Sequence, residues 1–359
     1  MRDSLLPGGI GHKELISRGG RGWHFADWMV TRVSVQVRVL GSIEVTRDGQ
    51  AIRLAGQGQR AVLGALALEQ GRPVSVERLA EAIWQFSPPA TSRTKIQAHV
   101  CALRRALGQP ARGGCGPLLT TGSGYGLCHE CVQLDLAEFG QLTAKGRKAL
   151  AAGEPGLAAE LFADALALWR GPAFADAVSP VLRSAAGPLA ERRVLTVEAK
   201  AEADLALGYP EVVVAELSAW LVEMPLRELL RGQLMLALYR LGCRADALNI
   251  YRAGHRIMIA EVGLEPGPQL RSLHQRLLAD DPILMEPMGA RAQGLLLRAP
   301  DPSPAGDARQ LQRAPAATPR LRRGEPGVRS CGLRRPSWPG AWCRRPCRNA
   351  TERRRPAPA

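Results

Sequence analysis

Along Thr91 to Gly108 the chain reads TSRTKIQAHVCALRRALG, a run whose side chains suit recognition. Wound as a helix at about 100° per residue, Thr94, Ala98, Cys101, Ala102 and Arg105 fall on one side, with Gln97 and Arg104 at its edge. Small side chains permit close approach there, and Arg, Gln and Thr supply donors for base edges and phosphates, as a helix in a DNA major groove requires. An alanine-rich surface helix has the same pattern, so the neighbouring elements must decide between the two readings.

Other residue groupings carry less. The 6 histidines are scattered, no GxxxxGKS/T is present, and no nucleophile, base and orienting group can be assembled from spacing, so an enzyme is not expected. Gly122 to Gly126, GSGYG, reads as a loop tip. Cys128-His129-Glu130-Cys131 is a CxxC with Cys115 nearby, a set that zinc could accept. A second matched CxxC is missing, so neither a metal nor a cofactor is expected, and the cysteines read as thiols of a reducing compartment.

The elements that must position the helix are legible on either side of it. Ile96, Val100, Leu103 and Leu107 form its core-facing stripe. Upstream, Val33, Val35, Val37 and Val39 alternate with polar residues and Asp48-Gly49 supplies a hairpin turn, which predicts a small antiparallel sheet. Gln57 to Gln70 is a helical run on Val62, Leu63 and Leu66, stopped by Gly71 and Pro73. Ser75 caps a second helix through Trp84 with Val76, Leu79 and Ile83 inward, and Pro88-Pro89 forces the turn before the third. Leu118 to Thr121 and Tyr125 to Cys128 are strand-like runs joined through Gly122 and Gly124, whose access to positive φ suits a tight tip. Sheet, three helices and hairpin describe a winged helix-turn-helix.

These residues resemble the AfsR/SARP regulators, whose DNA-binding domain is similar to that of the OmpR and PhoB response regulators. The resemblance rests on VRVLGSIEV, QRAVLGALALEQGRPVSVERLAEAIW, PPATSRTKIQAHVCALRRALG and LLTTGSGYGL. It continues through VQLDLAEF at Val132, ALALWRGPAFAD at Ala165, AEADLALGYPEVVVAEL at Ala201 and the run from Met235 to Leu278, which look like a bacterial transcriptional activation domain. It covers Val33 to Pro282, with the motifs in order and at family spacing. What it implies as DNA contacts are Thr94, Lys95, Gln97, His99, Arg104 and Arg105, with Arg104 first as a reader of a major-groove base, and Thr121 and Tyr125 in the wing. The chain departs from the family where HVCALRR stands for the usual HVSRLRR: Cys101 and Ala102 replace a hydroxyl and a cation, two expected phosphate contacts.

Residues 132–285 are helical in pattern, with Leu and Ala at three- and four-residue steps and breaks at Gly153-Glu154-Pro155, Gly171-Pro172, Gly208-Tyr209-Pro210 and Gly242. Gly208 and Gly242 stand 34 residues apart, and LGYPEVVVAEL is related to LGCRADALNIY at that offset. This is the grammar of tetratricopeptide repeats, which bury their apolar faces by stacking on neighbours. Trp169, Trp220, Tyr239 and Tyr251 read as core packing. In the resembled family such a domain serves dimerisation and transcriptional activation.

Charge divides by segment. The net +15 is carried mostly by residues 286–359, which hold 16 Lys and Arg against 5 acidic residues. Residues 33–131 hold 11 against 6 and residues 132–285 hold 16 against 19, an asymmetry that fits a DNA-facing and a protein-facing module. The Arg- and Pro-rich tail is expected to be disordered. It reads equally as a basic arm adding nonspecific affinity or as the product of a shifted reading frame in GC-rich DNA. Residues 1–28 fall outside the resemblance and Met29 reads as a natural start. With no apolar run long enough to span a bilayer, the chain is expected to be soluble and cytoplasmic.

The expectation is a mainly α chain: an N-terminal extension (1–32), an OmpR/PhoB-type α+β winged helix (33–131), an all-α repeat domain (132–285) and a disordered basic tail (286–359). Its expected role is transcription regulation, as an activator of a specialised-metabolite gene cluster. Expected partners are double-stranded DNA, RNA polymerase and further copies of the chain, as a homodimer or as tandem protomers. Two other readings stay open on the residues: a helical-repeat signalling scaffold with weak or no specific DNA binding, and a truncated relic of a larger ATPase-linked regulator.

Overall fold

The computed structural model describes residues 35–85, 87–108 and 116–286. The expected N-terminal extension, the basic tail, Cys115 and Val33 lie outside them. Two compact units result: one runs to Phe139 and includes Leu168–Ala190, the other holds Gly140–Ala167 and the chain from Glu191.

In the first unit, strands β1 (Val35–Arg38), β2 (Glu44–Arg47) and β3 (Gln50–Ala51) form a meander around the Asp48-Gly49 turn, both of whose residues take positive φ. Val35, Val37 and Val39 are fully buried while Gln36 is exposed, as alternation requires. Helices α1 (Gln57–Leu68), α2 (Val76–Trp84) and α3 (Ser92–Leu107) follow. The Ser75 hydroxyl accepts the Arg78 N–H at 3.3 Å, the expected cap. Thr91, in contrast, makes no side-chain cap to α3. In α2, Leu79 and Ala82 are fully buried, whereas Val76 and Ile83 are half-buried. Strands β4 (Leu118–Thr121) and β5 (Gly124–Leu127) close the wing.

The sheet is not purely antiparallel, as the valine alternation had suggested. A fourth strand, β6 (Val132–Leu134), pairs in parallel with β1, Val35 opposite Val132, giving the order β3-β2-β1-β6. Parallel partners need a long crossover, and here it spans the three helices and the wing, so local pattern cannot reveal it. The expected boundary after residue 131 therefore falls just before a strand of the same sheet.

A later segment also belongs to this unit. Arg170, Phe174 and Ala175 donate backbone N–H groups to Leu40 at 2.9 Å, Val39 at 3.0 Å and Gly41 at 3.1 Å. The Asp176 carboxylate accepts the Ile43 N–H at 2.8 Å and pairs with Arg60 of α1 at 2.5 Å. The WRGPAFAD run thus clamps the β1–β2 turn to α1. Trp169 meets Phe139 edge-on, with ring centroids 5.4 Å apart. Each clamp satisfies backbone groups that would otherwise be costly to bury.

The second unit contains most of α4 (Asp135–Ala152), then α5 (Pro155–Ala167), the C-terminal part of α6 (Pro180–Leu207), α7 (Pro210–Glu223), α8 (Glu228–Arg240), α9 (Arg244–Val262) and α10 (Pro268–Leu278), followed by a 3-10 turn at Pro282–Met285. Gly208 and Gly242 end α6 and α8 at φ of 77° and 76°. After each, the next N–H reaches back to the carbonyl five residues earlier: Tyr209 to Asp204 and Cys243 to Leu238, both at 2.9 Å. Identical caps 34 residues apart make the repeat a structural fact. Val197, Ala201 and Leu205 of α6, Val213 and Leu217 of α7, Leu230 and Leu234 of α8, Ala247 and Met258 of α9, and Leu270, Leu273 and Leu277 of α10 form one core. Tyr239 is buried in it and Trp220 and Tyr251 pack against it. Glu198 binds Arg227 at 2.7 Å, and Lys200 binds Asp204 and Glu216, each at 2.8 Å, whereas buried Arg231 donates to the carbonyls of Ile250 at 2.9 Å and Pro225 at 2.6 Å.

Candidate nucleic-acid interface

Helix α3 is held against the unit by Ile96, Val100, Leu103 and Leu107, all essentially inaccessible to solvent. Its C-terminal carbonyls are partly satisfied by Arg47, which donates to Ala106 O at 3.3 Å and places a cation where the helix dipole favours one. The face opposite the core carries Thr94, Ala98, Cys101 and Arg105, all exposed, with Gln97 exposed beside them. Arg93 is exposed as well, a cation that the sequence reading did not single out.

The eight candidate residues do not stand alike. Thr94, Lys95, Gln97 and Arg105 are exposed on α3, and the Lys95 ammonium lies 5.9 Å from the Trp84 ring centroid. His99 is half-buried and turned toward α1: a Cβ on Gly58 would stand 2.6 Å from its Nε2. Burial pushes its pKa below the ordinary 6.5. Its placement is that of a packing residue, because it falls between the solvent face and the core stripe, where α1 passes.

Arg104 differs most from expectation. Its Nε and Nη2 both donate to Leu118 O at 3.3 Å, Nη2 also donates to the Thr120 hydroxyl, and the guanidinium lies 6.0 Å from the Tyr125 ring centroid. The side chain is engaged with the wing, a placement that its reading as the first base contact did not anticipate. Thr120, exposed on β4, is a partner of Arg104 that the sequence did not reveal, since the two lie 16 residues apart in different elements.

The wing itself is pinned at its base. Tyr125 exchanges both backbone hydrogen bonds with Val74, at 2.7 and 2.9 Å, immediately before the Ser75 cap of α2. This approach depends on Gly124, at φ 151°, where a Cβ would fall 1.9 Å from Val74 O. Gly122 has no such role, with open space around it and no positive φ. The Thr121 hydroxyl lies 3.2 Å from Ser123 Oγ and 3.3 Å from Gly124 O, ordering the tip. Tyr125 is half-buried under Arg104.

Cys128 is buried and Cys131 half-buried at the turn leading into β6. Among the described residues no group of three or more His, Cys, Asp or Glu side chains could hold a metal ion, and no helix is long and apolar enough to cross a membrane.

Comparison with known proteins adds to this geometry. Residues 134–278 match the family described as bacterial transcriptional activator domain, and residues 49–127 match that described as transcriptional regulatory protein, C terminal. The chain is 36% identical over 258 residues to the regulatory protein AfsR of Streptomyces coelicolor, covering 71% of this chain and 25% of AfsR. It is 32% identical over 254 residues to the regulatory protein DnrI of Streptomyces peucetius, covering 69% of this chain and 93% of DnrI. It therefore spans about a quarter of AfsR and nearly all of DnrI. A solved structure of Mycobacterium tuberculosis EmbR in complex with a low affinity phosphopeptide is similar at a TM-score of 0.65 and 34% identity, over 73% of this chain and 68% of that one.

Proposed function

The chain belongs to the AfsR/SARP family of transcriptional regulators, in which an OmpR/PhoB-type winged helix precedes a bacterial transcriptional activator domain, and from that membership we propose that it binds DNA sequence-specifically and activates a specialised-metabolite gene cluster. The observation that carries this reading is the face of α3 opposite its buried stripe. There Thr94, Gln97 and Arg105 are exposed around the small side chains of Ala98 and Cys101, with the wing anchored alongside. Such a face enters a major groove without steric obstruction and offers donors to base edges, while Lys95 and Arg93 lie toward phosphates. Thr121 and Tyr125 bring the wing to the adjoining groove.

Protomers line up on repeated half-sites about one helical turn apart, and the helical array links them and engages RNA polymerase. Genomic-fragment selection followed by salt-titrated gel shifts tests this, comparing the full chain with residues 29–282. Selection of common fragments with repeated half-sites by both is the expected result. Binding by the full chain alone, steeply salt-dependent and without sequence preference, refutes it and assigns the affinity to the basic tail.

A further inference from the structure

Arg104 joins the reading helix to the wing through its side chain. We propose that Arg104 is a positioning residue that locks β4 to α3 and so sets the wing's reach into the adjoining groove, rather than a reader of a base. The inference rests on the DNA-binding reading above.

Three of the five guanidinium N–H groups are spent on the wing: Nε and one hydrogen of Nη2 on Leu118 O, the other hydrogen of Nη2 on the Thr120 hydroxyl. Reading guanine takes a two-donor fork aimed at O6 and N7, and what remains on Arg104 is a single nitrogen, Nη1, whose two hydrogens diverge. The Tyr125 ring flanks the group at 6.0 Å, which favours a cation held there. The other wing strand is tied through Tyr125 to Val74, at the start of α2. The wing is thus fixed at both strands, to the helix-turn-helix on one side and to the reading helix on the other. A hairpin held this way meets DNA already ordered; without Arg104 the ordering would have to be met on binding and would lower affinity without changing which bases are preferred.

The test uses the full chain with Arg104→Ala, Arg104→Lys, Thr120→Val and the Arg104→Ala/Thr120→Val double variant, on a site selected by the unaltered protein. Affinity is measured on that site and on its single-base variants, with hydroxyl-radical footprinting to map the wing's contact. Arg104→Ala is expected to bind about tenfold more weakly, to keep the rank order of bases at every position, and to lose protection at the wing edge. Arg104→Lys restores part of both. Thr120→Val, which leaves the arginine in place, moves affinity in the same direction by about threefold, and the double variant is no weaker than Arg104→Ala. Erased preference at one base pair with wing protection intact overturns the proposal, as does no change in either. Hydrogen exchange at the Val74 and Tyr125 amides reads the lock without DNA: Arg104→Ala should accelerate it, and unchanged exchange overturns the proposal. An unaltered protein that prefers no fragment over random DNA refutes the DNA-binding reading instead, and the exchange result still decides the lock.

Discussion

The Asp135 carboxylate takes the Val39 backbone N–H on both of its oxygens, at 2.9 and 2.8 Å, and the Leu40 N–H at 2.9 Å. The first residue of α4 thereby caps the end of β1 across 96 residues of chain. The winged helix is closed by groups that lie beyond its own sequence motif.

Asp135→Asn should cost about 1–3 kcal/mol, because the amide replaces one of the two oxygens facing the Val39 and Leu40 N–H groups with a donor. Burial pushes the Asp135 carboxyl above its ordinary value, against the Leu40 and Val39 N–H groups and the Arg170 guanidinium. A carboxyl raised on folding contributes stability that is fully present below its unfolded value and is lost as pH rises through the folded one. Urea midpoints from pH 3 upward should show the wild-type advantage over the Asn variant shrinking as pH rises; an advantage that grows would refute the raised carboxyl.

Asp176→Ala should destabilise the first unit by about 1–2 kcal/mol, by orphaning the Ile43 N–H and freeing Arg60. Urea unfolding followed at Trp169, in the same clamp, is the measurement. A neutral result would mean that WRGPAFAD does not hold the β1–β2 turn.

Gly124→Ala and Gly122→Ala should separate sharply. The first drives a Cβ into Val74 O, while the second meets nothing within 4 Å. The expected cost is about 2 kcal/mol or more for Gly124 and within about 0.5 kcal/mol for Gly122. Thermal unfolding of the two variants checks the contrast, and equal effects would exclude the Val74 approach as its cause.

His99 predicts an acid sensitivity of the α1–α3 contact. Its pKa is lowered by burial, so its contribution is present above the ordinary 6.5 and is lost as pH falls through the folded value. His99→Gln should flatten the stability profile below pH 6.5. A profile unchanged by the substitution would place the titration elsewhere.

On DNA, Arg105→Ala should reduce preference for a selected site over random sequence by about 1–3 kcal/mol, if its guanidinium reads a base from the exposed face. Lys95→Ala should weaken binding evenly across sequences and lower the salt slope by about one. Gel shifts at several salt concentrations distinguish the two patterns, and an exchange of behaviours would reverse the two roles.

Much of the architecture was legible in the chain because it is local. The stripe Ile96, Val100, Leu103 and Leu107, the Ser75 cap, the Asp48-Gly49 turn and the paired breaks at Gly208 and Gly242 are each set by periodicity or backbone conformation within a few residues. What only the tertiary structure decided depends on groups far apart along the chain. The parallel pairing of β6 with β1, the Asp135 cap and the Asp176 clamp bring together residues separated by about a hundred positions or more, and hydrogen-bond partners leave no periodic trace in sequence. Arg104 shows the same limit at the interface. Helical angle places it at the edge of the exposed face of α3, but only folding puts the Leu118 carbonyl and Thr120 hydroxyl where they accept from its guanidinium. Sequence determined which face of α3 is exposed; packing decided which side chains on that face remain available.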